Sequence, residues 1–147
     1  MFRLSTLRRI ALAGSGLTFG TIALLTTVAP VTVAGYYGLT PNGVDGLSEV
    51  RAVFTGFWLA LAAAMLSAAR RPEQTMLGDV CGLMILMQAL ARVTSLVLDG
   101  RPSLPFVGAM LGELVTAALI LAPRIRRLST SVPQSSSQPD DESRRMP

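Results

Sequence analysis

Apolar residues run along this chain in four stretches, 10–29, 49–69, 76–98 and 104–122, and polar residues gather between them. About 20 residues at ~1.5 Å of rise each make a helix long enough to cross roughly 30 Å of hydrocarbon. The connections Arg70-Arg71-Pro72-Glu73 and Asp99 to Ser103 are short, so the helices they join should be antiparallel. The pattern predicts an all-α fold: an antiparallel bundle of four transmembrane helices over residues 1–128, followed by a tail. Residues 129–147 are rich in Ser, Pro, Gln and charge, with too little apolar surface to bury, and are expected to be disordered. Residues 30–48 read as a loop in which Tyr36 and Tyr37 suit a membrane interface.

Each stretch also carries a face. Gly16, Gly20, Ala23 and Thr27 form a small-residue surface on the first helix that lets a neighbour approach closely. In the second, Ser48 is the expected N-cap. Glu49, Ala52, Val53, Gly56, Ala60, Ala63, Ala64 and Ser67 share one side, and Phe54, Trp58, Leu61 and Met65 share the other. The small side is expected to pack inward, taking Glu49 with it. Asp79 falls in the expected first turn of the third helix, where the dipole favours a negative charge in a structural role. Gly108 and Gly112 give the fourth helix a GxxxG packing spacing, and Pro123 with Arg124, Arg126 and Arg127 should end it.

The third helix breaks the apolar rule. Gln88, Arg92, Ser95 and Asp99 share one face, and the chain then turns at Asp99-Gly100-Arg101-Pro102. Glu113 sits near the middle of the fourth helix. A charge at the bilayer centre costs on the order of 3 kcal/mol, so it persists where it is paired or lines a wet cavity. Arg92 lies ~9 Å and Glu113 ~13 Å inside the same end of the bundle, a difference that a guanidinium spans. The planar fork of arginine serves two carboxylates, which predicts Arg92 between Glu49 and Glu113. The bland alternative is a buried ion-pair network that only fixes helix register.

Composition narrows the chemistry. Of 147 residues, 50% are hydrophobic and 15% charged, and the mean hydropathy of +0.50 lies outside the usual soluble range. The chain has no histidine and one cysteine, Cys81, so metal centres, internal disulfides and His-based catalysis are not expected. Neither a cofactor nor a catalytic residue is assigned. The net charge of +4 does not point to nucleic acid as a partner, because every basic residue is an arginine and most of them flank apolar runs. Arginine bias places both termini in the cytoplasm, with Arg51 and Arg101 near the other side. A cleavable signal peptide is the rival reading of the first stretch, although that stretch exceeds an ordinary signal core of about 7–15 residues.

The segments SEVRAVFTGFW, ARVTSLVLDGRPS and GELV, in that order on successive apolar helices, resemble bacterial membrane proteins grouped as domain of unknown function 4345. The resemblance implies four helices in a bacterial cytoplasmic membrane. It also draws attention to Glu49, Arg51, Arg92, Asp99, Arg101 and Glu113 as a polar cluster or ligand-binding set. It implies no activity. The expected function is a nonenzymatic helical module that sits in a lipid bilayer and packs with a copy of itself or a membrane partner, or binds a small molecule or lipid. A membrane redox accessory subunit or enzyme and a small proton-coupled transporter are the alternatives.

Overall fold

A computed structural model describes residues 2–130, with side chains from 5 to 125. The expected disorder of the tail falls almost wholly on 131–147, outside the described residues. Helix α1 spans Phe2–Val28, α2 Pro30–Tyr36, α3 Gly43–Val50, α4 Trp58–Arg70, α5 Thr75–Leu98 and α6 Leu104–Thr130. A π-helical segment, Arg51–Phe57, joins α3 to α4 without a break. Four candidate spans result among the described residues: Ser5–Val28, Gly43–Arg70, Thr75–Leu98 and Leu104–Ile125, each long and apolar enough to cross a membrane. The long helices form a ring in which α1 meets α4 and α6, and α5 meets the same two. The fold is therefore all-α, with the expected four-helix arrangement.

Local chemistry sets the ends. Pro30 ends α1 and opens α2, since the residue before a proline is forced out of helical geometry and proline tolerates the first helical position. Gly38, at φ +71°, closes α2: the Leu39 amide donates to the Ala34 carbonyl and that of Gly38 to the Gly35 carbonyl. Gly100, at φ +97°, plays the matching part after α5. The loop predicted over 30–48 thus contains α2, which holds Tyr36 and Tyr37 over one end of the bundle, and most of α3.

The inward face of the second span is the reverse of the expected one. Trp58, Leu61 and Met65 are buried in the core, whereas Ala52, Gly56, Ala60, Ala63 and Ser67 are exposed, as is Glu49. The reason is shape. A Cβ on Gly16 would lie 2.9 Å from Leu66 Cγ and 3.2 Å from the Ala62 carbonyl oxygen, so α1 supplies the small groove and α4 the side chains that fill it. The π segment adds a second effect. Each π turn holds an extra residue, which rotates Glu49 relative to α4 by an angle on the order of 100° from the uniform helical wheel.

Three smaller expectations also change. The second span starts at Gly43 with Asn42 in the cap position, so Ser48 lies within α3. Pro123 does not stop α6, which runs through it to Thr130; a proline is tolerated inside helices of this spanning type. Gly108 and Gly112 meet no neighbouring helix: a Cβ on either would find nothing within 4 Å.

Gly82 does hold a close contact, between α5 and α6. A Cβ there would fall 2.7 Å from Ile120 Cγ2 and 3.0 Å from Leu121 Cδ2, and Ile120 is fully buried. Gly82→Val is expected to cost about 1–3 kcal/mol through overpacking. Denaturant unfolding in micelles checks this, and an unchanged midpoint would contradict the packing.

Candidate functional site

At the end of the bundle that carries the α5–α6 turn, α5 and α6 bring two ionised side chains together. Arg92 Nε donates to Glu113 Oε2 at 3.0 Å and to Oε1 at 3.2 Å. Gln88 Nε2, one turn before Arg92, donates to Glu113 Oε1 at 2.7 Å. Both carboxylate oxygens are therefore engaged. The Arg92 guanidinium uses only Nε for this, and its carbon lies 5.8 Å from the centre of the Phe106 ring, a cation–π arrangement. The pair is not sealed: the Arg92 and Glu113 side chains keep 27% and 14% of their surface open.

That surface faces a cavity of about 800 Å³. Its wall along α1 runs from Ile10 to Leu25, and its wall along α6 from Pro105 to Thr116. Small residues line both sides, and a Cβ on Gly14 or Gly112 would meet nothing within 4 Å, so α1 and α6 stand apart here. The lining is mostly apolar. Thr18, which faces the space from α1, spends its hydroxyl on the Gly14 carbonyl at 3.0 Å. Ser15 and Thr116 also line it, and the charged and amide groups gather at the Arg92 end.

Aromatic rings close that end. Tyr37 lies 5.1 Å from Phe54 and 5.8 Å from both Trp58 and Phe106, and Phe54 stacks on Trp58 at 4.6 Å one turn along the π-to-α4 junction. Tyr37, Trp58, Gln88 and Arg92 also line a second cavity of about 460 Å³ between the π segment and α5. These four side chains form the partition between the two spaces. Burial raises the Tyr37 phenol above its ordinary pKa of 10.0, with Arg92 opposing the rise and Tyr36 and Glu113 adding to it. At neutral pH Tyr37 is a neutral hydroxyl.

The predicted set divides. Arg92 and Glu113 come together; Glu49 does not join them and is exposed on the outer side of the second span. Asp99 caps α5 and accepts from Ser95 Oγ at 2.7 Å on the exposed surface. Arg51 and Arg101 are exposed, and neither forms an ion pair among the described residues. Gln88, Tyr37, Trp58 and Phe106 were not in the predicted set. The stripe shared by Gln88 and Arg92 was a usable signal for the first; for the aromatics, no spacing in the sequence marks which ring turns inward.

A second charged cluster occupies the opposite end. Asp79 stands five residues into α5, past its first turn, and is buried. Arg124 Nη1 donates to its Oδ2 at 2.9 Å. Arg8 Nη2 lies 2.9 Å from Oδ1 but aligns its hydrogen bond on the Thr75 carbonyl at 2.7 Å, so the Arg8–Asp79 contact is ionic and Oδ1 accepts no hydrogen bond. Gly78 makes room for that guanidinium, which would clash with any Cβ there. The knot ties α1, α5 and α6 together. Its sign in the sequence was an acid at the arginine-rich end of the helices.

Residues 7–122 match the family described as Domain of unknown function (DUF4345). The chain belongs to this family. The DUF4345 match covers the cavity walls, Arg92, Glu113, Arg8 and Asp79, and ends one residue before Pro123, so Arg124 lies beyond it. Comparison with curated proteins and with solved structures gives no match. Among the described residues no three Cys, Asp or Glu side chains converge to hold a metal ion.

Proposed function

We propose that this DUF4345 protein is a multi-pass membrane protein that binds a small amphipathic molecule between α1 and α6 and performs no chemistry on it. The observation that carries this reading is the opening of the Arg92–Glu113 pair into a cavity of about 800 Å³, when a pair serving only helix register would be packed over. Ligand cavities are typically ~300–1,000 Å³, mostly apolar, with a few convergent polar groups. This one matches on size and on lining. The end bearing Arg8, Arg9, Arg70, Arg71 and Arg124 is the cytoplasmic one, by the bias of arginine toward that side.

Two features weigh against the more active alternatives. Cys81 is 1% exposed and has no partner thiol, so it supplies neither a nucleophile nor a redox pair. The two charged clusters are ~20 Å apart along α5, and Cys81, Gly82, Ile85 and Ala89 are buried between them. Among the described residues, no Asp, Glu or Arg of α5 stands between the two clusters to relay a proton. Self-association is a second role, favoured by the outward small-residue face of Ala60, Ala63 and Ser67, which allows close helix approach.

Gentle extraction followed by mass spectrometry of copurified small molecules tests the reading. The wild type should retain a bound amphiphile, and Arg92→Ala should lose it with helix content unchanged. Identical profiles from the two proteins would overturn the proposal.

A further inference from the structure

Deepening the binding role proposed above, we infer that the cavity selects an uncharged lipid whose head carries carbonyl-type acceptors and whose single apolar tail lies between α1 and α6. Charge balance comes first. Arg92 and Glu113 neutralise each other at 3.0 Å, so the polar end of the cavity has no net charge. An anionic head on the free guanidinium donors is repelled by the adjacent Glu113 carboxylate, and a cationic head is repelled by Arg92. Either head also brings an uncompensated charge into a half-buried neutral site, which is costly. The pair therefore discriminates against both signs.

Donor and acceptor balance comes second. Glu113 accepts from Arg92 and Gln88, which engages both of its oxygens. Arginine carries five N–H donors, and only the one on Nε is used by Glu113. The Tyr37 hydroxyl is a further donor at the same end, since burial keeps it protonated. Donors outnumber the acceptors that are left, chiefly the Gln88 Oε1 carbonyl, so a complementary head brings carbonyl or ether oxygens.

Depth and shape complete the case. Arg92 stands six residues before the end of α5, ~9 Å inside it. A phosphate head prefers the interface, while a neutral carbonyl head descends at far smaller cost. From Ile10 to Leu25 the α1 wall is ~22 Å long, mostly apolar with Ser15 and Thr18 interspersed, and Ile10 and Leu25 are themselves largely exposed. The space is an elongated groove open to the side, suited to one chain running parallel to the helices. Isoprenoid quinones and single-chain acyl esters share this chemistry.

The test uses the full chain in phosphatidylcholine nanodiscs. Its single tryptophan, Trp58, lines both cavities, so its emission reports on occupancy. Four probes of matched tail length are titrated: a ubiquinone analogue, a fatty-acid methyl ester, an alkylsulfonate and an alkyltrimethylammonium, with native mass spectrometry counting adducts. At least one uncharged probe should bind saturably and roughly tenfold or more tighter than either charged one, and the two neutral arms tell quinone from ester. Glu113→Gln frees the Arg92 charge and should reverse the order in favour of the sulfonate. Equal or tighter binding of a charged probe by the wild type overturns the inference, and if Arg92→Ala abolishes that binding the general binding role still stands. Should none of the four bind, both fall. If Glu113→Gln does not fold, the wild-type ranking decides alone.

Discussion

Glu113→Leu is expected to lower the unfolding free energy by about 3 kcal/mol or more, and Arg92→Leu in the same chain to restore most of the loss. The single substitution strands a guanidinium ~9 Å inside the helix end. It also removes the acceptor of Gln88 Nε2, which approaches Glu113 at 2.7 Å. The double substitution removes the need for both a counter-charge and a solvated path, since two leucines suit the surrounding hydrocarbon. Arg92 keeps 27% of its side-chain surface open to the cavity, so water reaches it and the cost sits at the low end of the 3–5 kcal/mol seen for broken buried pairs. Unfolding of the wild type, both single variants and the double in the same micelle gives the coupling energy. A double variant no better than the sum of the singles would show that the two groups act independently. A restored double variant that no longer retains a ligand would separate binding from stability, because fold and site would then fail in different proteins.

The bundle was legible because helices long and apolar enough to cross a bilayer obey a strong constraint. Every backbone polar group of such a helix must be satisfied within it, so length and apolarity suffice to find the helix at 76–98 and the start of the one at 104, although the latter runs past 122 to Thr130. Arg92 and Glu113 were legible for the same reason, as two charges too deep to stand alone. What a helical wheel could not supply was the identity of the face that packs. Lipid tails are as apolar as leucine, so burial of bulk carries no preference and complementarity decides. The Gly16 and Gly20 groove on α1 chose the Trp58, Leu61 and Met65 face of α4 and turned the alanine face outward. The π segment then broke the phase between Glu49 and α4. Its hydrogen bonds leave no compositional trace in RAVFTGF. Gln88 was read as part of a stripe, but its partner depended on a register between α5 and α6 that Gly82 sets through a contact between helices.

Asp79→Leu should destabilise the protein by about 2–3 kcal/mol, with Arg8→Leu recovering much of it and Arg124→Leu recovering little. The two arginines differ in what they leave behind. Arg8 has only 13% of its side chain exposed and lies across Gly78, so without Asp79 its charge is held against the start of α5 with the Thr75 carbonyl as its remaining partner. Arg124 is 58% exposed, and on losing Asp79 it turns to water or lipid phosphates at little cost. Arg124→Leu alone should therefore cost under ~1 kcal/mol. Equal costs for Arg8→Leu and Arg124→Leu would refute the asymmetry. The same knot bears on the cavity, because Asp79 is where α1 and α6 are held to a common point on α5 at the end away from Arg92. If it is the hinge that fixes their separation, Asp79→Leu weakens ligand retention while leaving the Arg92–Glu113 coupling energy unchanged. The mass spectrometry and the unfolding cycle read these two quantities separately, so loss of both together would place Asp79 in overall folding and outside the control of the α1–α6 gap.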